Sequence, residues 1–74
     1  MEQEQVKVLM NKAHYFYKNK IPVHIQFKER YWKRGTITEI GADFFMLQEM
    51  LEGLMPIFFL ELHDIKQFKT REEK

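Results

Sequence analysis

Ile21-Pro22-Val23-His24-Ile25-Gln26-Phe27-Lys28-Glu29-Arg30-Tyr31-Trp32-Lys33-Arg34-Gly35-Thr36-Ile37-Thr38-Glu39-Ile40-Gly41-Ala42-Asp43-Phe44-Phe45-Met46-Leu47 is the stretch on which the fold turns. Ile21, Val23, Ile25 and Phe27 share one parity, with His24 and Gln26 on the other. That period of two predicts a strand buried on one face. Pro22 falls near its start, where a missing N–H does little harm. A short polar turn follows, and a second strand runs from Tyr31 to Thr38. Gly41 breaks it, and Phe44 to Leu47 open a third. Links this short leave no room for helical crossovers, so the strands form an antiparallel meander.

In the second strand, Tyr31, Lys33, Gly35 and Ile37 lie on one side, and Trp32, Arg34, Thr36 and Thr38 on the other. Gly35 separates an aromatic, basic half from an ordinary β half. A glycine inside a strand marks a sharp bend at a barrel corner. The expectation is a strongly curved strand that serves two sheets.

Residues 3–18 read as a helix. Val6, Leu9, Met10, Ala13, Phe16 and Tyr17 recur at three- and four-residue spacings and form one apolar stripe, expected to lie on the open end of the sheet. Glu2 and Glu4 at its start and Lys18 and Lys20 at its end suit the macrodipole. Asn19 is the expected C-terminal breaker. Beyond Leu47, residues 48–54 extend the hairpin or carry a helical turn, with a turn at Gly53. Ile57 to Leu62 reads as a fourth strand, apolar enough for burial on both faces, in the barrel or at a subunit contact. His63-Asp64 is expected to turn the chain into a last strand, Ile65 to Phe68. Residues 69–74 read as a charged, solvated tail. The fold class is therefore mainly β: an N-terminal helix and a small five-stranded, strongly bent antiparallel barrel of SH3-like kind, one domain over residues 1–74.

Seventy-four residues make a marginal core, and chains of this size gain stability by oligomerising. The absence of cysteine excludes a disulfide framework and a cysteine zinc site. His14, His24 and His63 have no ligand-like spacing, so no metal or other cofactor is expected. With no serine and no cysteine, two common nucleophiles are missing, and no phosphate-cradling glycine loop appears. An enzyme is not expected, nor a small-molecule substrate. The acidic N-terminus is wrong for a signal peptide, and the apolar run Leu54 to Leu60 is too short for a membrane span. The expected location is the cytoplasm. A net charge of +1 means that any basic surface must arise from local arrangement.

Over residues 6–68 the chain resembles the Sm-like superfamily and, within it, the Hfq family of bacterial RNA chaperones. The residues that carry this are the basic helix end running into a hydrophobic-Pro-Val-x-Ile strand, Lys18-Asn19-Lys20-Ile21-Pro22-Val23-His24-Ile25. To these add Gly35 in the second strand, the run Phe44-Phe45-Met46-Leu47, and Glu61-Leu62-His63-Asp64-Ile65 where the family has Tyr-Lys-His-x-Ile. The Arg-Gly signature of the other Sm branch is absent.

The resemblance implies a homo-oligomeric ring, most simply a hexamer, joined by pairing the fourth strand of one subunit with the fifth of the next. It implies binding of single-stranded, U-rich RNA around the pore. By motif position the pore residues are Asp43, Phe44, Leu62 and His63, with Phe44 stacking a base and His63 meeting phosphate and sugar. Asp43 stands where the family has glutamine, and Leu62 where it has lysine. On the opposite face the matching positions are Gln26, Arg30, Tyr31, Trp32, Lys33 and Arg34. The family has tyrosine at Gln26, glycine at Arg30 and aliphatics at Tyr31 and Lys33. Cations interleaved with aromatics still suit RNA without a sequence preference. The rim positions are Tyr17, Lys18 and Lys20.

Plainer readings stand beside these. Phe44 also reads as core, since adjacent Phe44 and Phe45 face opposite ways. Taken alone, His63 reads as a turn histidine bonded to Asp64. The Arg30 to Arg34 segment also reads as a solvated hairpin over a packed Trp. A different function class fits the same fold: an SH3-like adaptor binding a partner peptide in a groove formed by Tyr31 and Trp32.

Overall fold

The computed structural model describes residues 2–69. Helix α1 (Glu2–Lys18) leads into strands β1 (Val23–Phe27), β2 (Trp32–Ile40), β3 (Phe44–Glu49), β4 (Gly53–Phe58) and β5 (Leu62–Gln67). One turn of 3-10 helix, Phe59–Glu61, joins β4 to β5. All strand pairs are antiparallel, in the order β4-β3-β2-β1-β5. The expected helix and five-stranded antiparallel sheet are both present. β4 and β5 form the two ends of the strand order and do not pair with each other within the chain.

α1 lays Leu9 and Ala13 into the core, with Val6, Met10 and Phe16 packed alongside. Tyr17, read as part of the stripe, is exposed instead. Phe16 takes the inward place in that last turn, and the helix stops two residues later, at Lys18. The stop is a Schellman motif. Ile21 N–H donates to Phe16 O at 3.0 Å, and Lys20 N–H to Tyr17 O at 3.2 Å. Lys20 holds the left-handed position at φ 56°, which glycine usually fills. Asn19 contributes by donating from Nδ2 to Tyr15 O at 2.9 Å.

β1 alternates as its sequence demands, with Val23, Ile25 and Phe27 buried. β2 pairs with β1 from Trp32 to Gly35 and with β3 from Gly35 to Ile40. Gly35 belongs to both registers, facing Val23 on one side and Glu49 on the other. A Cβ at Gly35 would lie 2.2 Å from the Gln48 carbonyl oxygen, so only glycine lets the strands approach. β2 thus serves two halves of one continuous sheet rather than two sheets.

Two β-bulges interrupt the ladders. Register shifts between Ile37 and Glu39, leaving Thr38 extra on β2. It shifts again opposite Gln26 and Phe27, leaving His63 extra on β5. The sequence reading of a turn at His63-Asp64 is corrected here. Both residues lie in β5, and the chain turns earlier, at Phe59–Glu61. That turn is held by Phe59 N–H to Asp43 O at 3.1 Å and Lys28 N–H to Glu61 O at 3.0 Å.

β4 begins at Gly53, four residues before the Ile57 start read from the sequence, because residues 48–54 extend the hairpin. Glu49 pairs with Gly53, which turns at φ +88°. Pro56 lies inside this edge strand, where a missing donor is tolerated. Within the single chain, burial is on one face: Ile57 and Phe59 are buried, whereas Leu54, Phe58 and Leu60 are exposed. The reading of the tail falls, apart from Lys69, outside the described residues.

Gly35→Ala is expected to cost several kcal/mol, on the order of 3, because the new methyl meets backbone rather than a yielding side chain. Arg30→Gly should instead raise stability by about 1 kcal/mol, since Arg30 sits at φ 74°. Urea denaturation of the two variants checks both signs.

Candidate nucleic-acid interface

The β1–β2 hairpin is closed by two backbone bonds, Arg30 N–H to Phe27 O at 3.0 Å and Phe27 N–H to Tyr31 O at 2.8 Å. Tyr31 stacks on Phe27, with centroids 4.4 Å apart and planes 8° from parallel. Strand alternation then divides the residues matched to one RNA face. Lys33 stands opposite core residue Ile25 and reaches Glu52 at 3.1 Å, passing over the Tyr31 ring. Trp32 and Arg34 face the other way, opposite Gln26 and His24. Trp32 packs against His24 at 4.8 Å, and the Arg34 guanidinium lies 5.0 Å from both the Trp32 and Phe68 rings. Trp32 remains half-exposed.

The bulge decides where His63 goes. Leu62 and Ile65 are both buried although three residues apart, which a regular strand does not allow. The extra residue, His63, is displaced outward. Asp64 pins this bulge: its Oδ1 accepts from Ile65 N–H at 2.8 Å and from Lys12 Nζ at 2.7 Å. Gln5 Nε2 also donates weakly to His63 O at 3.5 Å. α1 therefore holds the strand at the bulged residue. Burial pushes the Asp64 carboxyl up, but the bond from Lys12, the Ile65 N–H and the charges of Lys12 and Lys66 together hold it below its ordinary range.

Displaced in this way, His63 joins Gln26, Phe27, Lys28, Arg30, Tyr31 and Trp32 around a hollow of about 430 Å3. His63 was matched to the pore, and Gln26, Arg30, Tyr31 and Trp32 to the opposite face. The chain brings them into one concavity. Leu62, matched to the pore lysine position, is buried in the core. Asp43 is exposed, and its carbonyl is taken by Phe59 N–H.

Phe44 is half-buried. It lies over Gly41, where a Cβ would come within 2.3 Å of its ring, and beside Phe58 at 5.9 Å. Phe45 fills the core, so the two neighbours face opposite ways as expected. Tyr17, Lys18 and Lys20 share a separate hollow with Thr36, Ile37 and Thr38. Tyr17, Lys18 and Lys20 are thus brought together, with Thr36 and Thr38 lining the same hollow.

Sequence reasoning missed Lys28, His24, Phe58, Thr36 and Thr38 as neighbours of these sites. For Lys28 the signal was present, since a cation two residues before Arg30 in a tight turn faces the same concavity. Phe58 and Thr38 depended on registers that the sequence does not display.

No protein-family model matches the chain, and no curated protein does. Among solved structures, the chain is similar to the 1.55 Å crystal structure of the pleiotropic translational regulator Hfq. The TM-score is 0.70 at 15% identity, over 80% of this chain and 97% of that one. The fold is therefore Sm-like, as in Hfq.

The Lys12–Asp64 pair is partly exposed, so its contribution is about 0.5–1 kcal/mol. A carboxylate held low stabilises the fold above its unfolded pKa, near pH 4, and loses that contribution as pH falls through the folded value. Asp64→Asn should therefore lower the urea midpoint at pH 7. The gap to the wild-type protein should close as both are titrated into acid.

Proposed function

We propose that this chain is a non-enzymatic, Hfq-like RNA-binding protein that acts in the cytoplasm as a homo-oligomeric ring, six-membered in its simplest form. The observation that supports this most is the Sm-like fold shared with Hfq along most of the chain. No helix among the described residues is long and apolar enough to cross a membrane. Three surfaces suit single-stranded RNA: the Phe44 end of β3, the hollow of His63 and the first hairpin, and the rim of Tyr17, Lys18 and Lys20. Each combines an aromatic ring with hydrogen-bonding or cationic groups. Stacking on an aromatic contributes roughly 1–3 kcal/mol per base without reading its identity.

The ring reading starts from the two unpaired edges. β4 and β5 end the strand order, and exposed backbone edges invite pairing with another chain. Leu54, Phe58 and Leu60 add exposed apolar surface along and just beyond β4. Six copies of one weak pocket would hold a single strand multivalently, unpaired and locally concentrated. U-rich RNA is the expected ligand at the Phe44 end. Asp43 there replaces a neutral reader with an anion, which weakens phosphate attraction.

Light scattering should give a mass of about 55 kDa, six chains of 9.1 kDa each. A stable monomer would overturn the ring. Oligo-U binding should weaken about tenfold in Phe44→Ala and in His63→Ala and fall steeply with added salt. Salt-insensitive binding of a peptide in place of RNA would favour the adaptor reading.

A further inference from the structure

We infer that the hollow around the bulged His63 is a nucleotide pocket held within one subunit, taking one unpaired nucleotide together with its phosphate. This rests on the RNA-binding reading above and names the site that carries it. A face-by-face division would separate His63 from Gln26 and Trp32, yet here they line the same concavity.

The chemistry of the lining is complete for a nucleotide. Trp32 and Tyr31 offer aromatic surface for the base. The Gln26 amide carries a donor and an acceptor side by side, the pattern that reads a base edge. Lys28, Arg30 and His63 supply donors for phosphate. Among the described residues, no carboxylate lines this hollow; Glu29 and Glu61 line the neighbouring one, beyond Tyr31. A volume of about 430 Å3 is in the range of small-ligand sites.

The site is also pre-organised. Trp32 is braced by His24 and Arg34. Tyr31 is fixed by its stack on Phe27. His63 is held outward by a bulge that Asp64 and Lys12 pin from the helix side. Arg30 keeps a left-handed backbone that glycine would adopt at lower cost. Strain retained at such a place accompanies function, here the placement of a guanidinium at the pocket mouth.

Trp32 is the only tryptophan in the chain, so its fluorescence reports on this pocket directly. The test titrates uridine and adenosine monophosphates, then end-labelled oligo-U and oligo-A, reading Trp32 quenching and RNA anisotropy in parallel. Quenching is expected with at least one mononucleotide and with RNA. It should need about tenfold more ligand in Gln26→Ala, in Gln26→Glu and in His63→Ala, each checked for a native melting curve. Leu51→Ser, at the exposed β3–β4 tip, should leave it unchanged. Quenching that ignores all three pocket substitutions overturns the proposal. RNA anisotropy that rises while Trp32 stays silent also overturns it, leaving the RNA reading in place. Mononucleotide quenching that needs Gln26 and His63, without any RNA binding, upholds the pocket and removes the RNA reading.

Discussion

The close approach of the Gln48 carbonyl to Gly35 is the constraint on which the rest depends. β2 must leave β1 and join β3 within nine residues. It does so at one residue, paired on both sides, where even a methyl group would strike backbone. Upstream of that pivot, Trp32 to Arg34 are placed against β1, beside Gln26 and near His63. Downstream, Thr36 to Thr38 are placed under the end of α1, beside Tyr17 and Lys20. One bend therefore sets the positions of two candidate surfaces. The core between them, from Leu9 and Ala13 on the helix to Phe45 and Leu47 on β3, is what α1 and the curved sheet enclose together.

Both hollows contain a bulged residue. Ile37 on β2 is buried and Ile40 partly so, three residues apart, with Thr38 extra between them. Leu62 and Ile65 on β5 repeat the pattern around His63. A regular strand keeps one parity inward, so each bulge changes parity and re-aims a polar side chain toward a concavity. The chain departs from ideal β geometry at the places where it gathers polar side chains.

Much of the fold was legible because local chemistry and tertiary structure agree. The alternation of Val23, Ile25 and Phe27 needed no partner to interpret, and neither did the Leu9 to Phe16 stripe or the glycine at position 35. The errors have physical causes. In the Leu54 to Leu60 run, the strand expected from Ile57 starts instead at Gly53, and within one chain the run buries only Ile57 and Phe59, its outward residues being apolar as well. His63-Asp64 looks like a turn because both are polar, while the true turn, Phe59–Glu61, begins with a buried phenylalanine. The candidate site was legible as a set of residue types and only partly as an arrangement. Parity already separated Trp32 and Arg34 from Tyr31 and Lys33. The withdrawal of Lys33 to Glu52, however, depends on the length of the β3–β4 hairpin and on a turn in which Glu49 accepts the Leu51 and Glu52 N–H groups.

Charge shows how a chain of net +1 can still present basic surfaces. Lys12 and Lys33 are committed to ion pairs with Asp64 and Glu52. Each pair has a structural task, pinning the bulge in one case and tying β2 to the hairpin tip in the other. Lys28 and Arg30 line the His63 hollow, Arg34 stands beside Trp32, and Lys18 and Lys20 share a hollow with Tyr17. These cations sit beside aromatic rings rather than in a continuous positive field. On the proposed RNA-binding reading, these cations give local, salt-dependent attraction to phosphate, and contact adds the rest: a ring to stack on and an amide to read an edge. Such contacts act only on a nucleotide that is already unpaired, since a base inside a duplex has no free face to offer. On the same reading, the low net charge and the aromatic hollows together favour single strands, with stacking added to local charge contacts.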